Sequence, residues 1–230
     1  MLEELKKLVC EANLALVAGG LVIETWGNVS GVDRSAGAMV IKPSGLSYEG
    51  MKPEHMAVVS LGSGEVIDGS LKPSSDTPTH LELYRAFPDI GGVVHTHSLH
   101  ATAWAQARRS IPAMGTTHAD YFHGPIPVTR LMTAEEIQAD YEANTGKVIV
   151  ERFAGADPLA TPAVLVAGHG PFAWGQSPQQ AVENAIVLEH LARLACLTLA
   201  IEPYPQPISR ELLDKHFLRK HGPGRYYGQS

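Results

Sequence analysis

The chain has 230 residues, of which 44% are hydrophobic and 18% are charged, and its net charge is −6. This composition suits a globular domain with its own core, and it excludes a disordered or collagen-like chain and a broad basic surface for nucleic acid. Histidine is frequent, with 11 residues beside 18 lysines and arginines. Imidazole is the commonest metal ligand and transfers protons near neutral pH, so the positions of these histidines matter.

Cysteine and apolar patterns predict the cellular compartment. The chain has two cysteines, Cys10 and Cys196, both in apolar helical patterns, which predicts buried free thiols and excludes a disulfide framework. The first residues are acidic and amphipathic, unlike a secretory signal. The longest apolar stretch, about residues 181–201, contains Glu183 and Glu189 and predicts a core helix instead of a membrane span. We therefore expect a cytoplasmic protein with no membrane partner.

Apolar spacing and turn residues predict the secondary structure in chain order. The predicted strands cover residues 28–33, 38–41, 56–61, 65–67, 92–97, 111–114, 126–128, 163–167 and 172–174. The predicted helices cover residues 5–16, 77–87, 99–107 and about 133–144, then a long helix capped at Ser177 and a last one between Ser209 and Gly222. Residues 148–153 fit either period. Strands and helices mix without strict alternation, which predicts one α/β domain over residues 1–230, with helices on a mixed, mostly antiparallel sheet.

A pair of histidines stands out at the end of a predicted strand. His95 and His97 are two residues apart, so a strand would direct both imidazoles to the same face, where they could chelate one metal ion. His169, between two glycines after another strand, is the best candidate for a third ligand, and Asp76 could add a carboxylate. Three histidines with an exchangeable position are typical of catalytic zinc. The alternatives are a structural cluster without metal, and manganese in place of zinc.

Three short polar loops predict a site for an anion. They contain Gly27-Asn28, Ser44-Gly45 and Ser74-Ser75, and the last pair opens a predicted helix. Backbone N–H groups beside glycines and at helix N-termini attract anions, and hydroxyl groups add donors. Each loop alone could be an ordinary turn or helix cap, but together with the histidines they indicate a localised phosphate pocket. None is a P-loop, so nucleoside triphosphate binding is not predicted.

Five ordered motifs resemble the class II aldolase/adducin family. They are Trp26-Gly27-Asn28-Val29-Ser30, Lys42-Pro43-Ser44-Gly45, the segment from Lys72 to His80, His95-Thr96-His97-Ser98, and the segment from Gly168 to Gly175. The resemblance covers essentially the whole chain, with a gap or shift near residues 155–161. It implies a three-layer α/β/α domain, a sugar-phosphate substrate and a homotetramer with active sites at subunit interfaces. It also implies one Zn²⁺ per subunit, held by His95, His97 and His169, with Asp76 on or near the metal.

Two further segments, residues 116–121 and 213–228, resemble the epimerases of this family. This resemblance implies that Asp120 and Tyr227 are an acid/base pair that reaches a neighbouring subunit's zinc. The positions that match those holding the substrate phosphate and its neighbours are Gly27, Asn28, Ser44, Gly45, Ser74 and Ser75. Sugar-phosphate aldolases of the family carry a glutamate base where this chain has Asp76, as the epimerases do.

The resemblance therefore implies a zinc-dependent isomerase that epimerises a pentulose phosphate by breaking and re-forming a carbon–carbon bond. A sugar-phosphate aldolase or lyase of the same family is the first alternative. A metal-free interaction domain, similar to the adducin head, is the second alternative. The intact histidine set disfavours the second, because an interaction domain would not need it.

Overall fold

The computed structural model describes residues 2–226, and within this range a single sheet has seven strands. The strands are β1 (Asn28–Asp33), β2 (Ala38–Ile41), β3 (Ala57–Ser60), β4 (Val66–Asp68), β5 (Gly92–His95), β6 (Ala163–Leu165) and β7 (Pro171–Gly175). Their spatial order is β4-β3-β2-β1-β5-β7-β6, and each neighbouring pair is antiparallel. β5 therefore lies inside the sheet, between β1 and β7.

Helices cover both faces of the sheet. They are α1 (Leu2–Ala18), α2 (Thr77–Ala86), α3 (Leu99–Gln106), α4 (Thr116–Ala119), α5 (Ala134–Ala139), α6 (Tyr141–Arg152), α7 (Pro178–Ile201) and α8 (Arg210–His221), with a 3-10 turn at Pro53–His55. Helices α1, α3 and α7 pack on one face, and α2 and α6 pack on the other. The predicted three-layer α/β/α architecture is confirmed.

The alternation of side chains along β5 explains why both faces are covered. Val94 packs with Leu188 in the core beneath α1, α3 and α7, whereas Val93 packs with Tyr84 in the core beneath α2 and α6. Successive strand residues point to opposite faces, so a central strand with apolar side chains on both faces needs two helical layers. The last residue of β5 is His95, which is 2% exposed.

Several predicted strands differ from the structure. The strand predicted over residues 92–97 ends at His95, so His97 lies in the loop that leads to α3. The strands predicted at residues 111–114 and 126–128 are wrong, because Ile111 and Ile126 form an isolated bridge instead. Short apolar segments of this kind are buried by tertiary packing, and their period does not distinguish a strand from a buried loop.

The helix predicted over about residues 133–144 is two helices. Asp140 separates α5 from α6, and its side chain accepts a hydrogen bond from the Ala143 backbone N–H. An aspartate in this position caps a new helix, and α6 continues from Tyr141 to Arg152. Residues 148–153, whose period was ambiguous, therefore mostly belong to a helix.

Helix α7 spans the layer that packs on β5 and β7. Among residues 2–226 it is the one helix long and apolar enough, by length and composition, to cross a membrane. One stripe of it is buried in the core, including Ala185 and Leu188, and Asn184 donates a hydrogen bond to the Trp174 carbonyl. Cys196 lies outside this stripe and is exposed, so its predicted burial is wrong, whereas Cys10 is buried as predicted.

A substitution at Gly92, the first residue of β5, tests the packing of α7 on this strand. A Cβ atom at Gly92 would lie 2.5 Å from the Ser177 carbonyl oxygen and 2.5 Å from the Pro178 nitrogen, where α7 begins. We expect Gly92→Ala to lower the free energy of unfolding by about 1–3 kcal/mol, because backbone must move to admit the methyl group. Gly62→Ala is the control, since its nearest atom would be 3.8 Å away, and it should change stability by less than about 0.5 kcal/mol. Urea denaturation measures both, and equal effects would contradict the prediction.

Candidate active site

Two histidines near the end of β5 and a third from the loop before β7 converge at one edge of the sheet. His95, His97 and His169 each offer a ring nitrogen, and these atoms lie within 4.8 Å of one another. The Nε2 atoms of His95 and His97 are 3.1 Å apart. His97 thus reaches the cluster from the loop after β5, although the sequence predicted it within the strand. Three converging imidazole nitrogens form a donor set that fits a divalent transition-metal ion.

Hydrogen bonds behind two of the rings support this interpretation. His95 Nδ1 donates to the Pro171 carbonyl oxygen at 3.0 Å, and His169 Nδ1 lies 3.3 Å from the Tyr141 hydroxyl. Metal-binding histidines usually donate their second ring N–H to such groups, which fixes the tautomer and directs the other nitrogen to the metal. No sequence pattern predicted this contact of Tyr141, because the first residue of a helix carries no spacing signal for contact with His169.

His97 and His169 are held in the neutral form that binds metals. Burial, together with the neighbouring His95 and His97, lowers the pKa of His169 to about 4. Burial and the proximity of His95 also lower the pKa of His97. Neutral imidazoles need not lose a proton before binding a cation, so the site is ready for a metal at neutral pH.

Asp76 lines the same cavity as the histidines. It precedes α2, but within the described structure its side chain does not cap that helix. Its carboxylate instead accepts a hydrogen bond of 2.6 Å from Asn28 Nδ2. Burial raises the pKa of Asp76, but the histidines, His95 first, and the Asn28 hydrogen bond lower it below its usual range. Asp76 lies outside the tight group of three histidines, so its role as a metal ligand stays a prediction.

A backbone bridge brings two of the polar loops together. Ser44 N–H donates to the Lys72 carbonyl at 2.9 Å, and Ser74 N–H donates to the Lys42 carbonyl at 3.0 Å. The Gly27 loop is linked to them through Tyr48, which follows Gly45 by three residues. The Tyr48 hydroxyl donates to the carbonyl oxygen of Gly27 at 2.8 Å. The three loops and the histidines surround one cavity of about 520 Å³. Its lining includes every predicted binding residue, namely Gly27, Asn28, Ser44, Gly45, Ser74 and Ser75.

The Gly27 loop passes close to the end of β5. The backbone of Gly27 has φ +86°, a conformation that favours glycine, and a Cβ atom there would lie 3.0 Å from the His95 carbonyl oxygen. Any larger residue would push this loop away from β5. The glycine therefore lets the polar loop approach the histidine cluster.

Lys42 gives the cavity a positive charge in an acidic protein. It is 1% exposed, and its ammonium group donates to the carbonyl oxygens of Thr25 and Pro43 at 3.3 and 3.4 Å. Among residues 2–226 no carboxylate forms an ion pair with it, and burial lowers its pKa to about 8. An anion bound in the cavity would supply the missing negative partner.

Asp120 occupies a different environment from the histidines. Among residues 2–226, those that line the histidine cavity do not include Asp120. Its carboxylate accepts hydrogen bonds from His216 Nδ1 at 3.0 Å and from Arg219 at 2.9 and 3.0 Å, and Lys220 Nζ is 3.4 Å away. Burial raises the pKa of Asp120, but these partners on α8 lower it below its usual range. Tyr227, the other predicted acid/base residue, lies outside the described residues.

His80 of α2 is fully buried. Its Nδ1 lies 2.7 Å from the Ser30 hydroxyl, which also contacts the Tyr84 hydroxyl at 2.9 Å. Burial lowers the pKa of His80 to about 3. The contact with Ser30 of β1 depends on how α2 packs on the sheet.

Comparison with known proteins assigns the family. Residues 7–196 match the family model described as the class II aldolase and adducin N-terminal domain. The chain belongs to this family. An L-fuculose 1-phosphate aldolase of known structure is 27% identical, with 93% of this chain and 94% of that chain covered and a TM-score of 0.78. The family and fold implied by the sequence motifs are thus confirmed.

Two further solved structures have the same fold. YgbL from Escherichia coli is 25% identical, over 93% of this chain and 98% of that chain, with a TM-score of 0.72. YgbL from Klebsiella pneumoniae is 24% identical, over 94% of this chain and 98% of that chain, with a TM-score of 0.73. Both are described with three candidate activities, aldolase, epimerase and decarboxylase.

The lowered histidine pKa predicts how metal-free protein responds to acid. The pKa of His169 is about 4 in the folded chain against 6.5 ordinarily, so the unfolded state binds more protons between these values. Stability should therefore fall as the pH drops from 6.5 to 4. We expect this fall in the free energy of unfolding, measured in urea with a chelator present, to be smaller in His169→Gln. His190→Gln, at an exposed position on α7, should keep the full slope. Identical slopes for His169→Gln and the parent would refute the prediction.

Proposed function

We propose that the protein is an L-ribulose-5-phosphate 4-epimerase, which interconverts L-ribulose 5-phosphate and D-xylulose 5-phosphate in pentose catabolism such as that of arabinose. The observation that carries the proposal is the single cavity in which three metal-fitting histidines meet a carboxylate and three polar loops. The similarity to an L-fuculose 1-phosphate aldolase supports a phosphorylated sugar as the substrate class.

The chemistry of carbon 4 explains why an aldolase-type site suits an epimerase. The C4 hydrogen of a 2-ketopentose phosphate is not adjacent to the carbonyl, so it is not acidic and cannot be removed directly. Breaking the C3–C4 bond sends the electron pair toward the C2 carbonyl and leaves an aldehyde, glycolaldehyde phosphate. A divalent cation held by His95, His97 and His169 would act as a Lewis acid and stabilise negative charge on the ketose oxygens.

The chain's own residues hold the two fragments in place. Lys42 and the backbone and hydroxyl donors of the Ser44 and Ser74 loops would keep the phosphate bound while the aldehyde rotates about its anchored end. Asp76 is held by Asn28 beside the histidines, and its arm is one methylene shorter than the glutamate base of the related aldolases. This shorter arm keeps the carboxylate away from the carbon that an aldolase would protonate.

Two proton-transfer groups are required, one for each face of the aldehyde. The first takes the proton of the C4 hydroxyl as the bond breaks. The second returns a proton to the C4 oxygen when the bond re-forms on the opposite face. We assign these roles to Asp120 and Tyr227 of a neighbouring subunit in a homotetramer. The position of Asp120 outside the histidine cavity of its own chain supports this assignment. Two exposed apolar side chains lie near His97. Trp26 is 56% exposed and its ring lies 6.0 Å from that of His97, and Leu99, two residues after His97, is 74% exposed. Exposed apolar side chains at this place support a subunit contact there.

A sugar-phosphate aldolase is the second candidate, favoured by the similarity to an L-fuculose 1-phosphate aldolase. It would use the same cavity and the same bond cleavage but release the aldehyde. A metal-free interaction domain remains the third candidate, and the three converging imidazole nitrogens argue against it. The free Cys10 and Cys196 support a reducing, cytoplasmic location.

The product formed by zinc-loaded protein from L-ribulose 5-phosphate tests the proposal. We expect carbon NMR to detect D-xylulose 5-phosphate as the main product. A trapping reagent should capture little aldehyde. Glycolaldehyde phosphate as the main product would identify an aldolase instead. Protein that binds no zinc and forms neither product would support the interaction domain.

Asp120 gives a sharper test of the mechanism. We expect Asp120→Asn to slow epimerisation roughly 100-fold or more, since a general base is lost, while zinc content per subunit stays unchanged. Asp89→Asn, at an exposed position after α2, is the matched control and should keep the parental rate. Near-normal epimerisation by Asp120→Asn would show that the assigned base is wrong, even if the overall reaction is correct.

A further inference from the structure

The three histidines differ in how the protein holds their rings. His95 and His169 each have a hydrogen-bond partner behind the ring, at Pro171 and Tyr141. For His97, no hydrogen bond to Nδ1 is present among residues 2–226, and its ring contacts the other two histidines and Trp26. The orientation of His97 therefore depends on the backbone of residues 96–98 and on the element that follows.

That element is α3, whose first turn is held by another helix. Within the described structure the residue before α3, Ser98, makes no side-chain cap hydrogen bond. Instead Glu189 of α7 accepts the backbone N–H of His100 on Oε1 at 2.9 Å and that of Ala101 on Oε2 at 2.9 Å. These are the second and third amides of α3, which a capping side chain normally satisfies. A carboxylate there also interacts favourably with the helix dipole.

The environment of Glu189 makes this contact a rigid one. Oε1 also accepts a hydrogen bond of 2.7 Å from His100 Nδ1, so both carboxylate oxygens are engaged, and the side chain is 17% exposed. Helix α7 packs on β5 and β7, the strands adjacent to His95 and His169. Glu189 thus links the downstream end of the His97 loop to the helix that packs on these two strands.

We propose that Glu189 is a positioning residue of the metal centre, which holds His97 in place by fixing the N-terminus of α3. The inference rests on the metal centre of the proposed function and is independent of which sugar the protein converts. Without Glu189, the loop would sample several conformations, and binding a cation would have to order it again. The expected result is weaker metal binding, because that ordering lowers the affinity.

Cobalt binding to the metal-free full chain tests this role, because Co²⁺ absorption reports both affinity and ligand geometry. We expect Glu189→Gln to weaken Co²⁺ binding about tenfold and to change the visible absorption of the bound ion. Glu183→Gln is the control, an exposed carboxylate on the same helix, and should bind Co²⁺ within about twofold of the parent. His100→Ala keeps both backbone hydrogen bonds, so it should also stay within about twofold.

A double variant shows whether Glu189 acts through His97. In a His97→Ala background, Glu189→Gln should weaken Co²⁺ binding by less than about twofold, because the ligand that it positions is already absent. An equal loss in both backgrounds, or an unchanged affinity in Glu189→Gln alone, would overturn the proposal.

A measurement on the unaltered protein keeps the test valid if the variants do not fold. Because coupling is reciprocal, Zn²⁺ binding should slow hydrogen exchange at the amides of His100 and Ala101 more than at those of β4. Equal slowing at both places would overturn the role of Glu189 while leaving the metal centre intact. Failure of the unaltered protein to bind Co²⁺ or Zn²⁺ would overturn the metal centre itself, and the role of Glu189 with it.

Discussion

The antiparallel pairing of β5 with both β1 and β7 determines where the site can form. In this register His95 lies opposite Asn28 on one side and Phe172 on the other. Antiparallel neighbours place the start of β1, the end of β5 and the start of β7 at the same edge of the sheet. The Gly27 loop, His97 and the loop carrying His169 adjoin those three strand ends, so they meet there. A slip of one residue would turn His95 to the opposite face and separate it from the other ligands.

The cavity combines two electrostatic environments that suit different parts of a sugar phosphate. On the histidine side, burial lowers the pKa of His97 and His169, and the pKa of Asp76 also lies below its usual range. On the loop side, Lys42 provides a buried positive charge without a carboxylate partner among the described residues. The proposed phosphate site therefore requires no basic surface, because a single enclosed cation and the N–H and hydroxyl donors of the loops would supply the attraction.

Both helical layers support the histidine cluster from behind. Tyr141 comes from α6 on one face of the sheet, and Glu189 comes from α7 on the other. The sheet itself contributes the Pro171 carbonyl that holds His95. Because support comes from three directions, the ligand positions depend on the packing of the whole domain and not on the site loops alone. Asp120 follows α4 and is held by Arg219 of α8, apart from the histidine cavity.

The sequence by itself determined the features that depend on neighbouring residues. The bounds of β1 and β2 match the prediction, since turn residues and short apolar runs act locally. The ordered loop and histidine motifs likewise identified the family and the residues that line the cavity. The tertiary structure alone decided contacts between distant residues, such as Tyr141 with His169, Glu189 with His100 and Asp120 with α8. No period or spacing encodes these contacts, because they arise only when the helices pack on the completed sheet.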